Sequence, residues 1–268
     1  MSRSVDSLSG TAEVQMFVGI DLGSRAIKVA AWQGGNLVDS KIRESGFEPH
    51  RQVQEMIEEY QPCSVLATGY GRHLVKEYFD YQVITEIKAH ALGIHALLPE
   101  ATTVVDIGGQ DSKVISLNAQ GQVVNFQMND KCAAGTGRFL EIMAASLAYP
   151  LGEFGPAALD SDQEVQINSM CTVFAESEVI SMKNRGVPRQ HIARAVHASV
   201  ADRIISMLNR VGYGETIAFS GGVANNPCIV EMVRRRLDTV RVIVPENPSI
   251  IGALGASIHA QSQGRATE

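Results

Sequence analysis

No apolar run in this chain of 268 residues approaches the roughly 18 needed to cross a bilayer. Residues 1–15 lack the basic start and apolar centre of a secretory signal. The expectation is a cytoplasmic chain with no membrane partner. Cysteine is scarce: Cys63, Cys132, Cys171 and Cys228 are the only four, and none forms a CxxC pair. In a reducing compartment that excludes a disulfide framework. A metal site would have to gather cysteines distant in sequence, or from more than one chain. Long basic runs are also missing. With 23 Lys and Arg against 29 Asp and Glu, the formal net charge is −6, which argues against nucleic acid as a partner. The seven histidines show no metal-ligand spacing, and no low-complexity linker divides the chain, so any two domains must be closely apposed.

What the chain has is enough apolar material, 45% of residues against 19% charged, to bury a large core. Short runs rich in Val and Ile predict strands at 16–20, 27–32, 65–68, 103–107, 114–117, 123–126, 216–220 and 240–244. Helical patterns lie between them. Val53, Met56, Ile57 and Tyr60 fall at i, i+3, i+4 and i+7, one apolar helix face. Residues 188–211 read as a longer helix, with a proline in its first turn and Gly212 just past its end. Strands alternating with helices predict an α/β architecture.

The most informative feature is an internal repeat. VGIDLGSRAIKVA from Val18 and VVDIGGQDSKVIS from Val104 match at a constant offset of 85 residues, pairing Asp21 with Asp106, Gly23 with Gly108 and Lys28 with Lys113. Each copy reads as strand, Asp-x-Gly turn, strand. Two copies are too few and too widely spaced for a solenoid, so they suggest a duplicated domain facing itself across a cleft. Small residues after a strand let backbone N–H groups approach an anion, and a following hydroxyl or lysine completes the contact. Two such turns could hold one polyphosphate. The carboxylates of Asp21 and Asp106 suit Mg²⁺, or the positioning of an attacking water. A single Asp-x-Gly is an ordinary hairpin turn more often than not; the matched pair is what carries the reading. A third glycine-rich turn, Ser220-Gly221-Gly222-Val223-Ala224-Asn225-Asn226, follows the strand at 216–220 and precedes a helix near Pro227. Such a turn can lie flat against a nucleoside.

With three turns in this order, the chain resembles the superfamily of actin, sugar kinases and heat-shock-chaperone ATPases. The expected fold is two duplicated ribonuclease-H-like domains with a nucleotide cleft between them. Two further segments narrow the resemblance: Asn129-Asp130-Lys131-Cys132-Ala133-Ala134-Gly135-Thr136-Gly137-Arg138-Phe139-Leu140-Glu141 and Met170-Cys171-Thr172-Val173-Phe174-Ala175-Glu176-Ser177-Glu178. With Asp106-Ile107-Gly108-Gly109-Gln110-Asp111-Ser112-Lys113, they resemble the activator ATPases of 2-hydroxyacyl-CoA dehydratases, relatives of the ATP-hydrolysing subunits of benzoyl-CoA reductase.

The resemblance implies a homodimer with one bridging [4Fe-4S] cluster, Cys132 and Cys171 coming from each subunit. ATP binding and hydrolysis would drive one electron from a ferredoxin or flavodoxin donor into a dehydratase partner. Four thiolates are what a cubane requires, and two-fold symmetry doubles two cysteines to four. Both cysteines precede helical patterns, 137–147 and 172–183, whose positive N-termini favour thiolate. The expected site comprises Asp21, Asp106 and Gln110 for Mg²⁺, water and catalysis. Gly23, Ser24, Lys28, Gly108, Gly109 and Lys113 surround the phosphates of ATP or ADP, and Gly221, Gly222 and Asn225 contact adenosine. The expected domains are 1–98 with 248–268, residues 1–15 forming a tail, and 99–247 carrying the cluster cysteines.

Alternatives remain open at this level. The same chemistry could serve a double-cubane-cluster protein or a benzoyl-CoA-reductase-like enzyme; a small-molecule kinase, or a binding regulator without hydrolysis, would come from other classes. Cys63 and Cys228 read as incidental or buried thiols, and His90 and His95 as structural or surface residues in the helix at 87–98. Glu86 either serves that helix's dipole or faces the cleft. Relatives commonly carry a hydroxyl-rich stretch after Ser24, where this chain has Arg25-Ala26-Ile27. Arg25 then either contacts phosphate or points to solvent.

Overall fold

The structure, a computed structural model, describes residues 15–163, 165–167 and 171–264. Most of the expected tail, and Met170 beside the second cysteine, lie outside them. Along the chain come β1 (Met16–Leu22), β2 (Ala26–Gln33), β3 (Asn36–Glu44), α1 (Pro49–Ile57), β4 (Ser64–Thr68), α2 (Arg72–Phe79), β5 (Gln82–Val83) and α3 (Glu86–Leu97). They are followed by β6 (Thr103–Ile107), β7 (Ser112–Leu117), β8 (Val123–Asn129), α4 (Gly137–Ser146), α5 (Leu151–Leu159), α6 (Thr172–Asn184) and α7 (Arg189–Val211). β9 (Thr216–Ser220), α8 (Pro227–Leu237), β10 (Arg241–Ile243) and α9 (Ile251–Gly264) complete the order.

The strands form two five-stranded sheets, β3-β2-β1-β4-β5 and β8-β7-β6-β9-β10. Position for position these are the same sheet twice. In each, the first three strands form antiparallel hairpins and the fourth and fifth run parallel to the first. The sequence repeat is thus a repeat of topology, and its register is preserved: Asp21 pairs with Lys28, and Asp106 with Lys113.

All eight expected strands form. β3 and β5 are additional, and each has a reason to be silent in sequence. β3 is an edge strand with scattered apolar residues, placed by the Gly34-Gly35 turn, whose φ angles of 59° and 85° suit a tight hairpin. β5 has only two residues. The periodic helices form as expected, with α1 burying Val53, Met56 and Ile57. Three helices were not foreseen. α2 is short, α5 contains Pro156, and α9 is rich in Gly and Ala and buried on most of its surface, so neither of the latter presents a clean amphipathic period.

α9 is small-sided because backbone must approach backbone. A Cβ on Gly19 of β1 would stand 1.9 Å from the Ala253 carbonyl oxygen, and one on Gly255 would stand 1.7 Å from that of Ala89 in α3. α3 and α9 therefore pack face to face beside the first sheet. Their far ends reach the second, where Ala91, Ile94 and Ile251 join Val104, Ile115 and Ala218 in one apolar cluster. The main core of the second half lies between its sheet and α4, α5, α6, α7 and α8, with Phe139, Phe154, Ile192 and Phe219 among its buried members.

Candidate functional site

Three strand ends of the two sheets meet at one cavity of about 460 Å³. The β1–β2 turn contributes Asp21, Gly23, Ser24 and Lys28; the β6–β7 turn contributes Asp106, Gly108, Gly109, Gln110 and Lys113. The turn after β9 contributes Gly221, Gly222 and Asn225. Every non-cysteine residue of the expected site therefore lines the same space. Cys132 and Cys171 do not border it.

Backbone geometry explains the glycines. Gly221 has φ 86°, and a Cβ there would come within 2.3 Å of the Ile107 carbonyl oxygen at the end of β6. Asn226 then starts α8: its side-chain oxygen accepts from the N–H groups of Cys228 and Ile229, with Pro227 in the first turn. The amide nitrogen of Asn226 lies 3.0 Å from His197 Nε2. Burial lowers the His197 pKa to about 4, so the ring stays neutral and that nitrogen accepts.

The floor of the cavity is a network of paired charges. Lys28 Nζ donates to Asp21 Oδ2 at 3.0 Å. Burial draws the Lys28 pKa down, but Asp21 outweighs it and holds the lysine above its ordinary value. Lys113 is 2% exposed and its Nζ meets Asp111 at 2.6 Å, Glu86 at 2.9 Å and Asp106 at 3.3 Å. For Lys113 too, burial is the largest influence, and it is overcome by Asp106, Asp111 and Glu86, so the ammonium is held charged. Asp106 is 3% exposed. Burial raises its pKa, but His90, Lys113 and an O–H from Ser220 at 3.0 Å together outweigh burial and leave it below the usual carboxylate range. Glu86 keeps a raised pKa, because burial exceeds the help from Lys113.

Glu86 opens α3 and also faces the cavity, so both of its readings hold, and its second oxygen lies 3.7 Å from Arg72. His90, read as structural or surface, is buried on the cavity wall, with Nδ1 3.4 Å from Asp106 Oδ1. Sequence reasoning also missed the wall made by α5, where Leu151, Gly152, Gly155 and Pro156 face the turn after β9. The available signal was two glycines three apart in one stretch, which on a helix share a face.

Both cysteines precede helices, as expected, but at different distances. Cys171 is the residue at the start of α6, but Cys132 sits in a loop that ends at Thr136 before α4 begins. That loop and the start of α4 are fastened to the β6–β7 hairpin. Ser112 Oγ donates to the Gly135 carbonyl at 2.8 Å, and the N–H groups of Gly137 and Arg138 donate to the carbonyls of Gly108 and Gly109 at 2.9 and 2.8 Å. Cys171 is exposed, Cys132 partly so, and Cys228 buried, its thiol pushed up to about 11 by burial.

Twin sheets in this order, enclosing a cleft edged by two Asp-x-Gly hairpins and a third glycine turn, define a nucleotide-cleft ATPase of the duplicated ribonuclease-H-like class. The match to known proteins is specific: residues 18–260 fit the BadF/BadG/BcrA/BcrD ATPase family, and the chain belongs to it. It is 40% identical to the 2-hydroxyisocaproyl-CoA dehydratase activator of Clostridioides difficile, covering 94% of this chain and 97% of that protein. The solved activator of the 2-hydroxyisocaproyl-CoA dehydratase from Clostridium difficile with bound ADPNP superposes with a TM-score of 0.86 at 38% identity, covering 94% and 97% of the two chains. A sugar kinase, the ROK family glucokinase from Streptomyces griseus in complex with glucose and AMPPNP, shares only the fold. Its TM-score is 0.56 at 12% identity, over 92% of this chain and 100% of that one.

Proposed function

We propose that this chain is an ATP-dependent activator that passes one electron to a 2-hydroxyacyl-CoA dehydratase-type partner, accepting it from a ferredoxin or flavodoxin. The observation that carries this reading is the fastening of the start of α4, directly after the Cys132 loop, to Gly108 and Gly109. A nucleotide that moves the β6–β7 hairpin pulls on the start of α4 through two hydrogen bonds and on Gly135 of the Cys132 loop through Ser112, at 2.8 to 2.9 Å.

In this reading Ser24, Lys28, Lys113 and the N–H groups around Gly23, Gly108 and Gly109 receive the phosphates. Asp21 and Asp106, buried at the ends of matching strands, hold Mg²⁺ through water, and Gln110 with Asp106 orients the attacking water. Adenosine lies between Gly221, Gly222 and Asn225 on one side and the glycine face of α5 on the other. ATP does work only to the extent that it binds one geometry of the two halves better than another. We assign those halves to 1–98 with 248–268, and 99–247.

The donor set fits half of a cubane. Cys132 and Cys171 are free thiols with access to solvent. Two copies related by a two-fold axis would supply the four thiolates. When bound, the [4Fe-4S] group supplies a one-electron redox centre. The test is iron and acid-labile sulfide after strictly anaerobic purification, with Cys132→Ser and Cys171→Ser beside the parent. About four iron atoms per dimer, lost in both variants, is the expected result; no iron in the parent overturns the electron-transfer reading.

A further inference from the structure

Arg25 stands where relatives carry a hydroxyl-rich stretch, and neither of its expected roles accounts for what it touches. Its Nε donates to Glu141 Oε1 of α4 at 3.0 Å, across 116 residues of sequence. On its own side of the cleft, Nη2 lies 3.4 Å from Glu44 at the end of β3. Its stem crosses directly over the opposite turn: a Cβ on Gly109 would meet Arg25 Cβ at 2.8 Å. Glu141 is held from its other oxygen by Arg138 at 3.0 Å. Both Arg25 and Glu141 border the cavity.

We infer that the Arg25–Glu141 pair is a latch across the mouth of the nucleotide cleft, and that Arg25 acts as a positioning residue setting how fast nucleotide leaves. The inference rests on the nucleotide-cleft reading above. The pair joins the β1–β2 turn of the first sheet to α4 of the second half, the two walls that must separate for a polyphosphate to pass between the turns. Glu44 holds the guanidinium so that it reaches outward to Glu141, and Arg138 holds Glu141 to meet it. A bidentate-capable, always-charged guanidinium makes this contact where a threonine could not span it. The pair is half open to solvent, Arg25 at 55% and Glu141 at 19% side-chain exposure, so it is a weak latch that salt can loosen.

The experiment is release of a fluorescent N-methylanthraniloyl-ADP from the Mg²⁺-loaded full chain, chased with unlabelled ADP. Parent, Arg25→Ala, Glu141→Ala, the double variant and Arg25→Lys are compared. Each alanine variant is expected to release about three- to fivefold faster, and the double variant no faster than either single, because one contact is lost in all three. Arg25→Lys, keeping the charge and losing the fork, falls between. Raising salt from about 0.05 to about 0.5 M speeds release from the parent by a larger factor than from Arg25→Ala. Single variants that release at the parental rate, or effects that multiply in the double variant, overturn the latch and leave the activator reading standing. A parent that retains no labelled nucleotide overturns both.

Discussion

Lys113 is the residue whose loss should be felt most widely, and the structure gives the size of the effect. Replacement by Met keeps the length of the buried stem and removes an ammonium that faces three carboxylate oxygens at 2.6, 2.9 and 3.3 Å. Asp106, 3% exposed, and Glu86 beside it are then left close together with that compensation gone. Removing one partner of a buried pair costs about 3–5 kcal/mol, since the remaining charge stays desolvated. For a chain of this size that corresponds to a melting temperature lower by roughly 6 °C or more. The dependence on pH has a definite sign. In the parent, Asp106 titrates below its unfolded value, so its stabilisation is present above the ordinary carboxylate range and is lost only as pH falls through the lower folded value. In Lys113→Met the carboxylates titrate higher in the folded state than in the unfolded chain, so the folded state takes up protons and gains stability on acidification. The deficit against the parent therefore shrinks between about pH 8 and pH 5. Differential scanning fluorimetry across that range measures it, and a Glu86→Gln/Lys113→Met double variant should be less damaged than Lys113→Met alone. A Lys113→Met protein melting within about 2 °C of the parent at pH 8, or a deficit that grows on acidification, would refute the account of a charge-compensated floor.

Two further outcomes follow from other parts of the fold. Gly255→Ala places a methyl group 1.7 Å from the Ala89 carbonyl oxygen, forcing α9 away from α3 at a cost of about 1–3 kcal/mol, read as a lower urea midpoint; a midpoint equal to the parent's would mean the two helices do not meet at this glycine. His197, held neutral with a pKa of about 4, binds fewer protons folded than unfolded between that value and its ordinary one. Parental stability must then fall as pH drops through that window, and His197→Gln should flatten that slope in urea melts at stepped pH.

The duplicated topology was legible in sequence because it is written locally. A strand, a tight turn and a returning strand occupy about a dozen consecutive residues, so the Asp21–Lys28 and Asp106–Lys113 registers follow from spacing alone. The three turns could be named for the same reason: glycine at a strand end signals close backbone approach wherever it occurs. Elements whose residues carry no local period were not legible. α9 is buried on nearly every side and packs through glycines, and α5 holds its helix through a proline because Phe154 and Ala158 are sunk in the core. Only the tertiary structure set Glu86 and His90 beside Asp106, brought α5 to the cavity and tied the start of α4 to Gly108. Only it, likewise, turned Arg25 from a choice between phosphate and solvent into a contact with Glu141. These are meetings between residues far apart along the chain, fixed by how the two sheets and their helices pack, and neither periodicity nor spacing encodes them.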